Sequence, residues 1–169
     1  MKKIITAILA LSMLAAMSTT AFAAENSVID QGTTDKTANT AVTFNVAPTY
    51  VVTIPSAIEL KETKNADGTV TYTGSDTITT SAIRLNMGEK VKLAITSDFE
   101  MKSTKDATQK YTVTVDGAAS PLASGADVAK FGTDKKAQSV KLNYLAQDPE
   151  YAGEYSDTVT FTLSIIKEK

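Results

Sequence analysis

The chain has 169 residues, with 17 basic and 19 acidic side chains and no cysteine, histidine or tryptophan. That length suits one domain or two. The mild acidity argues against nucleic acid and anionic membrane surfaces, which favour a basic footprint, and the missing histidine and cysteine exclude Ser–His and Cys–His nucleophiles and the usual zinc and copper ligands.

Met1-Lys2-Lys3 is a short positive stretch, Ile4 to Met17 is almost unbroken apolar sequence, and Ala21-Phe22-Ala23 has the small-x-small form of a cleavage site. This predicts a secretory signal peptide over residues 1–23, too short for a membrane span, and hence no membrane association after cleavage. Without Lys2 and Lys3 the 15 remaining basic residues face 19 acidic ones, a net charge of −4. The remaining 146 or so residues are enough to bury a core without a metal or disulfide. An exported chain with no cysteine draws its stability from packing and hydrogen bonds, and it has no residue to carry a lipid anchor. No apolar tail precedes Lys167-Glu168-Lys169, so release, or surface retention without a covalent anchor, is expected. The lack of cysteine leans towards a Gram-positive source.

Residues 24–40 are small, polar and without period, which predicts a flexible N-terminal arm. From residue 41 to 169 the pattern changes to period two. Val42, Phe44 and Val46 alternate with Thr43 and Asn45. Tyr50, Val52 and Ile54 alternate with Val51 and Thr53, and Pro48 separates the two runs with a kink or bulge. A short strand is expected at Val70–Thr73, pairing across an Asn65-Ala66-Asp67-Gly68 hairpin tip. Ile83, Leu85 and Met87 share a face before the turn at Asn86–Glu89, and Val91, Leu93 and Ile95 return. Tyr111, Val113 and Val115 precede a turn at Asp116-Gly117. Val140, Leu142 and Tyr144 follow. Tyr155, Val159, Phe161, Leu163 and Ile165 close the chain, opposite a row of Ser and Thr.

Strict alternation over four to eight residues marks strands with one wet face, here lined largely by threonine. The expected fold is an all-β, antiparallel, Ig-like β-sandwich of seven or eight strands. One turn of helix is expected near Ala126–Lys130, with Val128 and Phe131 as plugs against the core. Residues 97–109 and 116–139 read as long connections and are candidate binding loops.

Candidate chemistry is sparse. Asp148, Glu150, Glu154 and Asp157 would be the carboxylates of a glycosidase, but they read better as a solvated turn around Pro149. Asn65-Ala66-Asp67-Gly68 opens like a calcium loop, yet Thr69 and Thr71 stand where later ligands belong. Lys141 and Asn143 share the polar face, which disfavours a buried lysine–asparagine cross-link. No catalytic, cofactor-binding or metal-binding residue is assigned, no cofactor is expected, and the chain reads as a non-enzyme.

Gly153 permits a turn into the last strand, and the Tyr155 hydroxyl is placed to reach a backbone group, as in the tyrosine corner of Ig-like domains. The ending Ala152–Ile165 (AGEYSDTVTFTLSI) resembles the terminal strand of small secreted bacterial sandwiches, the spore coat U/fimbrial-subunit type and the WxL-type surface domain of Gram-positive bacteria. Tyr50–Leu60 (YVVTIPSAIEL) resembles an early strand of small secreted proteins of Gram-positive anaerobes. The chain lacks the Trp-x-Leu motif and the fimbrial cysteine pair, so the resemblance implies fold and location and transfers no binding residue. It implies a secreted or cell-surface structural or adhesin-like protein, a fibre subunit among them, whose partners are other protein subunits or a cell-envelope polymer. Fibre subunits of this kind often complete a neighbour's sheet with a donated strand, and the 24–40 arm with Val42–Val46 is the candidate donor here. The alternative is a secreted module that binds a wall glycan or host protein through its long loops.

Overall fold

The computed structural model describes Gln31 and residues 42–168. The signal peptide expected at 1–23 lies outside the described residues, as does the expected 24–40 arm apart from Gln31. The sandwich lies within a compact unit running from Pro48, and residues 42–47 belong to a separate one.

Ten strands and no helix are present among the described residues: β1 (Val52–Thr53), β2 (Lys61–Lys64), β3 (Val70–Thr80), β4 (Glu89–Thr96), β5 (Glu100–Ser103), β6 (Thr108–Val115), β7 (Asp127–Phe131), β8 (Ser139–Gln147), β9 (Tyr155–Ser156) and β10 (Thr160–Lys167). All pairings are antiparallel. One sheet runs β1-β3-β8-β6-β5-β9, with β2 beside the first half of β3; the second runs β10-β4-β7. The molecule is therefore the expected all-β sandwich, with more strands than the seven or eight predicted.

Register explains which residues make the core. Directly opposed residues of an antiparallel pair share a face. Phe161, Leu163 and Ile165 lie opposite Ile95, Leu93 and Val91, and those three β4 residues are fully buried. In the other sheet Ile78 pairs with Val140, and Tyr144 lies between Gly74 and Val113. The outer row of β3 is Thr71, Thr73, Ser75, Thr77 and Thr79, the threonine-lined face that alternation requires.

Several sequence expectations are corrected. Val42–Val46 forms no strand, and Val42 and Phe44 are 90% and 88% exposed. Alternation marks a segment as suited to a sheet and does not by itself make it a strand. Ala126–Lys130 is not helical; it falls largely in β7. Val91 pairs with Phe131 and Leu93 with Ala129, but Ala94 pairs with Asp127. Val128 is thus the extra residue of a bulge, which lets Val128 and Phe131 both turn inward from positions three apart, a spacing that mimics a helix. Both are buried, as plugs should be. Met87 does not join Ile83 and Leu85 inside; it tips the turn and is 96% exposed. The two long connections hold β5 and β7, so neither is a free loop. The Asn65–Gly68 tip is as expected: Gly68 has φ +85°, and Asp67 Oδ1 accepts from the Thr69 N–H at 3.0 Å and the Thr69 hydroxyl at 2.6 Å. These bonds hold the Asp67 carboxyl below its ordinary value.

Candidate functional site

Two crossings between the sheets meet at one corner. The chain leaves β4 for β5 through Ser97–Phe99, and leaves β9 for β10 through Asp157–Val159. Asp157 Oδ2 accepts hydrogen bonds from the Ser97 and Tyr111 hydroxyls, each at 2.6 Å, and its Oδ1 accepts from the Thr158 N–H at 2.6 Å. Ser97 Oγ also accepts from the Phe99 N–H at 2.7 Å. That bond helps hold Phe99 at φ 54°, a left-handed conformation uncommon for a bulky side chain. Partial burial pushes the Asp157 carboxyl upward, but the bonds from Ser97, Tyr111 and Thr158 prevail and keep it below the ordinary 3.8. Burial, aided by the bond to Asp157, raises the Tyr111 hydroxyl.

The turn into β9 is locked as the sequence predicts. The Tyr155 hydroxyl donates to the Tyr151 carbonyl at 2.7 Å. Gly153 is not needed for a left-handed φ, and a Cβ there would meet Ser103 Cβ at an ordinary 3.6 Å. Tyr155→Phe is expected to lower stability by about 1 kcal/mol, the worth of one net hydrogen bond, measured by urea unfolding with an unchanged m-value.

Below this corner lies an open groove of about 1080 Å³ between the inner face of the larger sheet, the Ile54–Leu60 segment and the start of β10. Five of the six tyrosines line it: Tyr72, Tyr111, Tyr144, Tyr151 and Tyr155. Period-two alternation puts Tyr111, Tyr144 and Tyr155 on apolar faces but does not show that they converge; the inward register of Tyr72, Tyr111, Tyr144 and Tyr155 on β3, β6, β8 and β9 brings them together. Tyr111 meets Phe99 edge-on, with ring centroids 5.8 Å apart, and stacks on Tyr144 at 6.5 Å. Among the described residues the Tyr144 hydroxyl is buried with no partner, and so is Asp76 Oδ2. Burial, with the Asp76 charge, pushes Tyr144 up to about 12. Burial also raises Asp76, against the opposing bond from the Thr77 N–H. Leaving buried polar atoms unpaired costs stability.

The third feature is an edge. Among the described residues no strand pairs with the side of β10 away from β4. Phe161, Leu163 and Ile165 all face inward by register, yet Ile165 is 45% exposed, while its partner Val91 is fully buried. Among the described residues the second sheet has three strands against seven opposite, so its inward row next to β10 is incompletely covered.

Asp148, Glu150 and Glu154 are exposed on the turn, while Asp157 is engaged in the corner. Among the described residues no group of three or more carboxylates is placed to hold a metal ion. Asn143 Nδ2 donates to Asp116 Oδ1 at 2.9 Å, and Lys141 Nζ lies 4.0 Å from the same oxygen on the exposed face.

No family model and no curated protein matches the chain. Among solved structures it is similar to a chain of a chaperone-tip adhesin complex described as vital for synergistic activation of CFA/I fimbriae biogenesis, with a TM-score of 0.46, 14% identity and 68% of this chain covered. The match spans 41% of that chain's length.

Proposed function

We propose that this chain is an exported, non-catalytic surface or extracellular subunit, adhesin-like or part of a fibre, that joins another protein chain through its open sheet edge. The observation that carries this reading is β10: eight residues, paired on one side only among the described residues, with inward apolar side chains left partly uncovered beside an apolar groove. Such an edge is a template for strand addition. Export is supported by the sequence of Met1–Ala23. The composition supports a non-enzyme, since histidine and cysteine are missing and Asp157 is engaged by the Ser97 and Tyr111 hydroxyls.

The test is the assembly state of protein recovered from the culture medium or shaved from the cell surface. Size exclusion with light scattering and negative-stain microscopy are expected to show concentration-dependent assemblies. Monomer at every concentration, with no partner cross-linked at the surface, overturns the reading. A second reading, a glycan-binding module, is favoured by the five tyrosines of the groove rather than by residues 97–109 or 116–139. Glycan binding abolished by Tyr72→Ala with the fold retained would support it.

A further inference from the structure

We infer that the tyrosine groove takes an amino-sugar glycan, one whose sugars carry free amines, in preference to a neutral or acidic one, an inference that rests on the glycan reading of the groove. Charge selects this ligand. Among the described residues the charged ones lining the groove are Glu59 and Asp157, both acidic, and no lysine or arginine lines it. The turn that supplies Pro149, Tyr151 and Gly153 to the groove also carries Asp148, Glu150 and Glu154, all exposed. Lys102, whose charge acts on Asp157, stands outside the lining. A uronate, sulfate or phosphate on the sugar would meet these carboxylates with no basic partner in the groove. An ammonium meets complementary charge.

The lining suits a sugar ring. A pyranose presents an apolar C–H face, which packs on an aromatic ring, and hydroxyls that need polar partners. Tyr72 and Tyr155 are half-buried in the groove and Tyr151 is 61% exposed, while Ser56, Gln147 and Thr158 add exposed polar side chains. One wall is fastened by apolar packing alone. Residues 55–59 make no hydrogen bond among the described residues, and Ile58 and Leu60 pack against the core. Ile58, Glu59 and Leu60 lie over Gly74, the ladder partner of Tyr144. A sugar hydroxyl that displaces this wall gives the Tyr144 hydroxyl the partner it lacks.

The experiment titrates the full exported chain by calorimetry at about pH 6, where carboxylates are ionised and sugar amines are protonated. The probes are a β-1,4-linked glucosamine hexamer, the same hexamer fully N-acetylated, and a galacturonic acid hexamer. The glucosamine hexamer is expected to bind about ten-fold more tightly than its acetylated form, and the galacturonic acid hexamer not to bind. Glu59→Gln should cut that preference to about three-fold with an unchanged melting temperature. Asp116→Asn, which removes a charge from the exposed outer face, should leave it intact. Tyr72→Ala should abolish binding of both glucosamine forms. Equal affinity for the two forms, or tighter binding of the acid, overturns the inference and leaves the glycan reading standing. Equal effects of Glu59→Gln and Asp116→Asn also overturn it, since they mark diffuse attraction to an acidic protein. No binding of any probe removes the glycan reading together with the inference.

Discussion

Gly74→Val is expected to lower folding stability by about 3 kcal/mol, at the upper end for overpacking a filled site. Gly74 is an inward-facing residue of β3, and the Ile54–Leu60 segment lies directly over it. A Cβ at this position would sit 2.8 Å from Leu60 Cδ2, 3.1 Å from the Glu59 carbonyl oxygen and 3.3 Å from Ile58 Cγ2. The leucine methyl can swing aside, but the carbonyl belongs to the backbone and must move with its segment. Two further methyl groups deepen the clash, so the segment has to lift from the sheet. Because that segment is one wall of the groove, the loss of stability should come with increased binding of a hydrophobic dye, as it does when packed apolar surface opens. Ser75→Val is the control. It places the same side chain on the exposed face of the same strand, where a change within about 0.5 kcal/mol is expected. Equal losses for both variants would show that the middle of β3 accepts valine on neither face, and the close approach at Gly74 would not be the cause.

Asp157→Ala is expected to cost about 2 kcal/mol, because it removes a charged acceptor shared by two hydroxyls; hydrogen bonds to charged groups are worth about 1.5–3 kcal/mol, and partial exposure reduces that. For a domain of this size the melting temperature should fall by roughly 5–10 °C. The pH dependence follows from the depressed folded value. In the unfolded chain the aspartate titrates near 3.8, and in the folded chain lower. The stabilisation is therefore complete above about pH 4, and is lost as the pH falls through the folded value. Wild type and Asp157→Ala should differ most at neutral pH and converge in strong acid. Asp157→Asn should recover part of the loss, since its carbonyl oxygen still accepts one hydroxyl. A difference that persists unchanged to pH 2 would mean the carboxylate charge plays no part.

The residues explain why some elements were legible in the sequence and others were not. β4, β6, β8 and β10 each bury one face and wet the other, so period two appears in the chain directly. The β2–β3 hairpin was legible at Asp67-Gly68, because its turn demands a left-handed residue. The second half of β3 was hidden: Gly74 and Asp76 occupy inward positions where alternation would put apolar residues, one because backbone passes too close for a side chain, the other as a buried carboxylate. β7 was hidden by its bulge, which shifts Val128 out of phase. Val42–Val46 shows the opposite failure. Its alternation is as clean as that of any strand, but periodicity reports which face a segment is suited to bury and not whether it joins a sheet. The tyrosine corner was readable because all its parts lie within five residues. The Ser97–Tyr111–Asp157 cluster was not, since it joins residues up to sixty positions apart, and no local pattern records that.

The described sandwich is tethered at both its entry and its exit to a single short stretch. Thr49 exchanges backbone hydrogen bonds with Arg84 at 2.7 and 2.8 Å, and the Glu168 N–H donates to the Gly88 carbonyl at 2.9 Å. A mechanical load drawn through the chain at these two points therefore meets residues 84–88 before it reaches the β4–β10 ladder.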